Sequence, residues 1–100
     1  MRLPQTLLAL AIAGGAVLPA QADSVQIRSM AASCASCHGT NGVALDGMDT
    51  LAGKPKTELL KKLMDFKTGK KPATIMAQLS KGYTDEQLTQ LADYFSTLKP

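Results

Sequence analysis

The chain has 100 residues, 45% of them hydrophobic and 4% aromatic, with no Trp, two Cys, one His and a formal charge of +3. That length allows one small domain at most, and two cysteines are too few for a disulfide scaffold. A domain this short and this poor in aromatics is near the lower limit for a self-sufficient core, so a metal or cofactor is expected to complete it.

The first segment reads as a leader rather than as part of the domain. Arg2 supplies a positive start, Leu7 to Val17 is an unbroken run of apolar and small residues, and Ala20-Gln21-Ala22 fits the small-x-small rule of signal peptidase. The run is shorter than the roughly 20 residues a helix needs to cross a bilayer, which weighs against an uncleaved anchor. Residues 1–22 are read as a cleaved signal peptide and residues 23–100 as the exported domain, with no membrane anchor after cleavage.

Three stretches of that domain carry helical periodicity, and none alternates with period two for long enough to make a strand. The first runs from Ser24 to Cys37, with Ile27, Met30, Ala31 and Cys34 on one side. The second runs from Lys56 to Lys67, where Leu59, Leu60, Leu63, Met64 and Phe66 face inward and the lysines and acids face out. The third follows Thr84 and Gln87, a capping-box pair, with Asp85 and Glu86 in its first turn and a stripe of Leu88, Leu91, Ala92, Phe95 and Leu98. Gly39-Thr40-Asn41-Gly42, Asp46 to Gly53 and Gly69-Lys70-Lys71-Pro72 are loop chemistry. A short helical piece from Ala73 to Leu79 is expected before Gly82. The pattern is all-α, with about four short helices.

The chemistry sits in Cys34-Ala35-Ser36-Cys37-His38, the spacing of c-type haem attachment. On a helical turn, positions i, i+3 and i+4 share a face, so Cys34 and Cys37 can each form a thioether with a haem vinyl group while His38 turns toward the iron. Gly39 then lets the chain turn away past the ring edge. Zinc would require four ligands, and no second cluster accompanies these three. A thioredoxin-like pair would require a βαβ setting, and a local disulfide would give no reason for His38. A haem would also supply the apolar plate that so small a core lacks.

His38 is the only histidine and there is no third cysteine, so a methionine is the natural sixth ligand; paired with His it raises the reduction potential. Met30 and Met64 lie on apolar helix stripes and read as core. Met48 follows His38 too closely to reach the opposite face. Met76, after the Gly/Pro break and before the last helix, fits best.

With these residues placed, the domain resembles a small class I cytochrome c. Thr74-Ile75-Met76-Ala77, Lys81-Gly82-Tyr83-Thr84 and Leu91-Ala92-Asp93-Tyr94-Phe95 are similar to the haem domain of the cytochrome subunit of flavocytochrome c sulfide dehydrogenase, and less closely to cytochromes c4. The resemblance covers most of residues 30 to 98 and implies covalent haem c on Cys34 and Cys37, with His38 and Met76 as axial ligands. Two departures stand out. Many class I cytochromes place a proline before the Leu-x-Gly found here at Leu51-Ala52-Gly53, and its carbonyl accepts from the proximal imidazole; Met48 or Asp49 stands near that place. The glycine common where the first and last helices cross is also absent, with Gln26 near the expected spot and Ala31 available for close approach instead. The type examples carry two haem domains, whereas this chain matches one.

The resemblance implies an all-α class I cytochrome c fold around one haem and one-electron transfer in the periplasm, without a catalytic site of its own. The implied partner is an FAD-containing sulfide dehydrogenase subunit, whose flavin would oxidise sulfide and pass electrons singly to the haem. A freestanding carrier similar to cytochromes c553 and c4, serving a terminal oxidase or other redox proteins, is the second expectation. A catalytic or sensor haem would require Met76 to be off the iron. No nucleic acid partner is expected. Lys61, Lys62, Lys67, Lys70 and Lys71 read as a solvated face, or as a docking surface if they surround an exposed haem edge.

Overall fold

In the computed structural model, residues 19–100 are described, with side chains from Ser24 onward. Residues 1–18, most of the expected signal peptide, lie outside the described residues. Five α-helices and one 3₁₀ turn follow in order, with no strand among the described residues: α1 (Pro19–Ala32), α2 (Ala35–His38), the 3₁₀ turn (Thr40–Gly42), α3 (Lys56–Thr68), α4 (Ile75–Lys81) and α5 (Asp85–Thr97).

Each long helix begins and ends for a local reason. Pro55, in extended conformation, introduces α3, and the helix stops at Gly69, whose N–H bonds to the Phe66 carbonyl. The capping box expected at Thr84 is formed in full: Gln87 N–H donates to Thr84 Oγ1 at 3.1 Å, and Thr84 N–H donates to Gln87 Oε1 at 2.9 Å. Asp85 and Glu86 place negative charge at the same helix end, where the backbone dipole favours it. Gly82, expected as the stop of the short helix, occupies that position, with α4 spanning Ile75–Lys81.

The core is one face of α5 and what packs on it. Leu88, Leu91, Ala92 and Phe95 of α5 are buried with Leu59 of α3 and Ala31 of α1. Helix α5 packs on both α3 and α1, and α4 packs on α3. Ala31 is the buried residue of α1, in one cluster with Ala92, whereas Gln26 is exposed. Ala31 thus belongs to the cluster through which α1 packs on α5. Leu60, Leu63 and Met64 lie partly buried against this cluster, as the α3 stripe requires.

Two sequence expectations are corrected. The first helix does not run on to Cys37: Ser33 N–H and Cys34 N–H bond back only three residues, to Met30 and Ala31 carbonyls at 3.2 and 3.0 Å, and the chain turns before α2. Lys67 does not belong to a solvated face. It falls four residues after Leu63 and eight after Leu59, so it shares their side of α3, and its side chain is only 25% exposed.

Leu88 is fully buried at the centre of the cluster. Leu88→Ala is expected to cost roughly 2–5 kcal/mol, read as a lower denaturant midpoint with an unchanged slope in equilibrium unfolding.

Candidate haem site

The break at Ser33 and Cys34 builds the site. Cys34 is the N-cap of α2, and its carbonyl accepts from both Cys37 N–H (3.3 Å) and His38 N–H (2.9 Å). One short turn therefore carries Cys34, Cys37 and His38. Cys34 is half-buried against the core and Cys37 is exposed, both as free thiols. Burial pushes the Cys34 thiol above its ordinary pKa, with a hydrogen bond to Ser33 offsetting part of the rise.

The chain then doubles back. Gly39 adopts φ 82°, ψ 165°, a region essentially restricted to glycine, and a Cβ there would run into the Val43 carbonyl. The need for glycine thus comes from closure of this turn. Gly42, at φ 76°, lies so close to α5 that a Cβ would sit 2.9 Å from Phe95 Cδ1. Its carbonyl accepts from Leu51 N–H at 2.8 Å and Ala52 N–H at 3.1 Å, while Gly53 N–H donates to the Phe95 carbonyl at 3.0 Å. These bonds close the loop of residues 43–51 and tie its end to α5.

The loop delivers one backbone group to the site. His38 Nδ1 lies 2.7 Å from the Asp49 carbonyl oxygen. A carbonyl only accepts, so Nδ1 carries the proton and donates, leaving the Nε2 lone pair available for a metal. Of the two candidates, Met48 and Asp49, it is Asp49 that stands in for the proline of other class I chains. Its side-chain chemistry plays no part in the contact.

The methionines separate by packing. Met30 and Met64 lie against the core cluster, as expected. Met48 is 48% exposed on the loop. Met76 is half-buried on the first turn of α4, outside the set packed on the core, and belongs to a different element from the Cys34–His38 turn. Large apolar side chains are left uncovered on the same two segments: Val43, Leu45 and Met48 on the loop, and Ile75 and Leu79 on α4. Two thiols and an imidazole on one turn, a thioether on a second element and uncovered apolar side chains beside both fit a flat apolar macrocycle with an axially ligated iron.

Sequence reasoning missed one group of residues beside the site. Lys67 Nζ donates to the Tyr83 carbonyl at 2.8 Å and to Asp85 Oδ1 at 2.7 Å, and Tyr83 Oη lies 3.4 Å from Ser33 Oγ, next to Cys34. The available signal was the phase of Lys67 with Leu59 and Leu63.

Residues 27–99 match the family model described as cytochrome c. The cytochrome subunit of sulfide dehydrogenase from Chlorobaculum tepidum is 37% identical over 83 residues, covering 83% of this chain and 74% of that protein. A thiosulfate dehydrogenase electron acceptor from Thiomonas intermedia is 36% identical over 95 residues, covering 93% of this chain but 44% of that protein. Among solved structures, cytochrome c4 from Acidithiobacillus ferrooxidans superposes with a TM-score of 0.63 at 32% identity, covering 66% of this chain and 38% of the other. The chain thus spans less than half the length of the last two.

With two thioether links the haem should survive acid-acetone extraction of protein made with export and haem maturation. Replacing both Cys34 and Cys37 by Ala should give protein that releases its haem or is colourless, read by absorbance of the extracted pellet.

Proposed function

Because this chain belongs to the cytochrome c family, we propose that it is the cytochrome partner of a flavoprotein sulfide dehydrogenase, holding its haem on Cys34 and Cys37 between His38 and Met76. It is an electron-transfer protein with covalently bound haem c. The observation that carries the more specific reading is the similarity to the sulfide dehydrogenase subunit, which extends over 74% of that protein's length.

Each residue has a distinct task. Cys34 and Cys37 anchor the ring, and the turn they share fixes where His38 can stand. The Asp49 carbonyl holds the imidazole by Nδ1, which would leave Nε2 free to hold the iron. Met76 would supply the second ligand, because Met30 and Met64 are packed on the core, Met48 follows His38 closely on the loop, and His38 is the only histidine. When bound, the haem supplies a one-electron iron couple, whose potential a His/Met pair raises. With His38 and Met76 both holding the iron, no site would be left on it for substrate; the chain would serve as a carrier and the partner would perform the chemistry. Export to the periplasm, directed by residues 1–22, belongs to the same proposal.

A specific observation favours the second reading, a freestanding carrier to a terminal oxidase. Lys70, Lys71 and Lys81 take part in none of the four ion pairs among the described residues. In sequence they flank the uncovered Ile75 and Leu79 on α4. Such a mixture suits brief, salt-sensitive docking to an acidic redox partner.

Oxidised protein is expected to show the sulfur-to-iron charge-transfer band. Met76→Ala should abolish it and lower the potential, while Met64→Leu should keep it and cost about 1 kcal/mol as a volume-conserving core swap. Retention of the band in Met76→Ala would assign the ligand to Met48.

Size exclusion of native periplasmic extract at low and high salt separates the two partner readings. Haem co-eluting with flavin at both salts is the result expected for a stable subunit, whose contact is apolar at its centre. Haem eluting alone as a small monomer at low salt would leave the freestanding carrier.

A further inference from the structure

The segment that carries Met76 is a loop with a fastened base. It leaves α3 after Thr68, forms α4 and returns to the body at Tyr83, just before the capped start of α5. Its two ends are joined by one side chain. Lys67 Nζ donates to the Tyr83 carbonyl at 2.8 Å, spanning 16 positions, and to Asp85 Oδ1 at 2.7 Å. A lysine in phase with Leu59 and Leu63 would normally carry its ammonium out to solvent; here the stem lies along the packed face and the head is held between α3 and the start of α5.

We propose that Lys67 is the positioning residue that locks the Met76 segment shut and so protects the distal iron ligand from displacement. The inference rests on the reading of Met76 as that ligand. Of the two bonds, the one to the part-buried Tyr83 carbonyl carries more of the effect. Asp85 is 71% exposed, so solvent screens its attraction, whereas a part-buried carbonyl that loses its donor has no partner in the structure to replace it. The clamp also reaches the opposite side of the site, because Tyr83 Oη meets Ser33 Oγ beside Cys34 at 3.4 Å. Releasing Lys67 therefore frees the return strand of the loop while the attachment turn stays covalently fixed.

Added imidazole competes with Met76, and its apparent affinity depends on the fraction of molecules in which the segment is open. The test titrates oxidised haem-loaded protein with imidazole at one pH and salt, beside thermal unfolding of each variant. Lys67→Met keeps the stem and removes the ammonium; it should bind imidazole at least about fivefold more tightly than wild type while still showing the sulfur-to-iron band. Lys67→Arg, which restores a cationic donor, should return the affinity toward wild type. Lys61→Met is the control: it removes the Lys61–Asp65 contact of 2.6 Å, which spans a single turn of the same helix, and should leave imidazole binding unchanged. Equal affinities in Lys67→Met and wild type, or an equal gain in Lys61→Met, would overturn the clamp while leaving Met76 as ligand. A wild-type spectrum lacking the band, unaltered by Met76→Ala, would instead overturn the ligand reading and the clamp with it.

Discussion

Packing against one face of α5 holds the elements of the site in register. Leu88, Leu91, Ala92 and Phe95 form the greater part of the buried cluster, and among the described residues only Leu59 and Ala31 join them from the other helices. With so few buried side chains, each element that carries a functional group is fixed by where it meets α5 or its neighbour α3. Phe95 shows the economy of the arrangement. Its ring abuts Gly42, and its carbonyl accepts from Gly53, so a single residue locates both ends of the loop that delivers Asp49 to His38. The hydrophobic return on so small a core is limited, which explains why a covalently held, largely apolar cofactor suits it.

The two proposed iron ligands, His38 and Met76, are held by different physics. On the His38 side the geometry is made by backbone groups: the Cys34 carbonyl gathers the attachment turn, and the Asp49 carbonyl orients the imidazole. Backbone carbonyls place no demand on side-chain identity, which is why an aspartate can occupy a position where related chains use proline. On the Met76 side the geometry is made by a helix of seven residues packed on α3 and by the Lys67 contacts at its base. A segment held this way can open locally without the core unfolding, because its fastening lies at the edge of the buried cluster.

Charge has a similarly uneven role. Lys62–Glu58 and Lys61–Asp65 each span a single turn of α3; the first is exposed on both sides, where such a pair contributes little, while the second has a largely covered carboxylate. Lys56 and Lys67 both reach beyond the helix, to Asp93 and to Asp85. The Lys56–Asp93 pair is long at 3.7 Å and exposed on both sides, whereas Lys67 is mostly covered and also holds the Tyr83 carbonyl. Of the four α3 lysines in ion pairs among the described residues, two bond within the helix and two across to α5, and the covered one has the carbonyl contact as well.

Much of this molecule is determined by the sequence alone. The spacing of Cys34, Cys37 and His38 points to the attachment chemistry proposed for them, and the structure carries the three on one short turn. The capping pair Thr84 and Gln87 and the stripe from Leu88 to Phe95 settle α5, since both signals are local and agree. What the sequence left open depends on contacts between distant segments. The choice of Asp49 over Met48 and the inward turn of Lys67 follow from which groups meet after the chain has folded back. Local propensity carries no record of those meetings. Only the packing of the loop and of α4 around α3 and α5 decides them, because a backbone carbonyl or a lysine stem acquires its role from its neighbour rather than from its type.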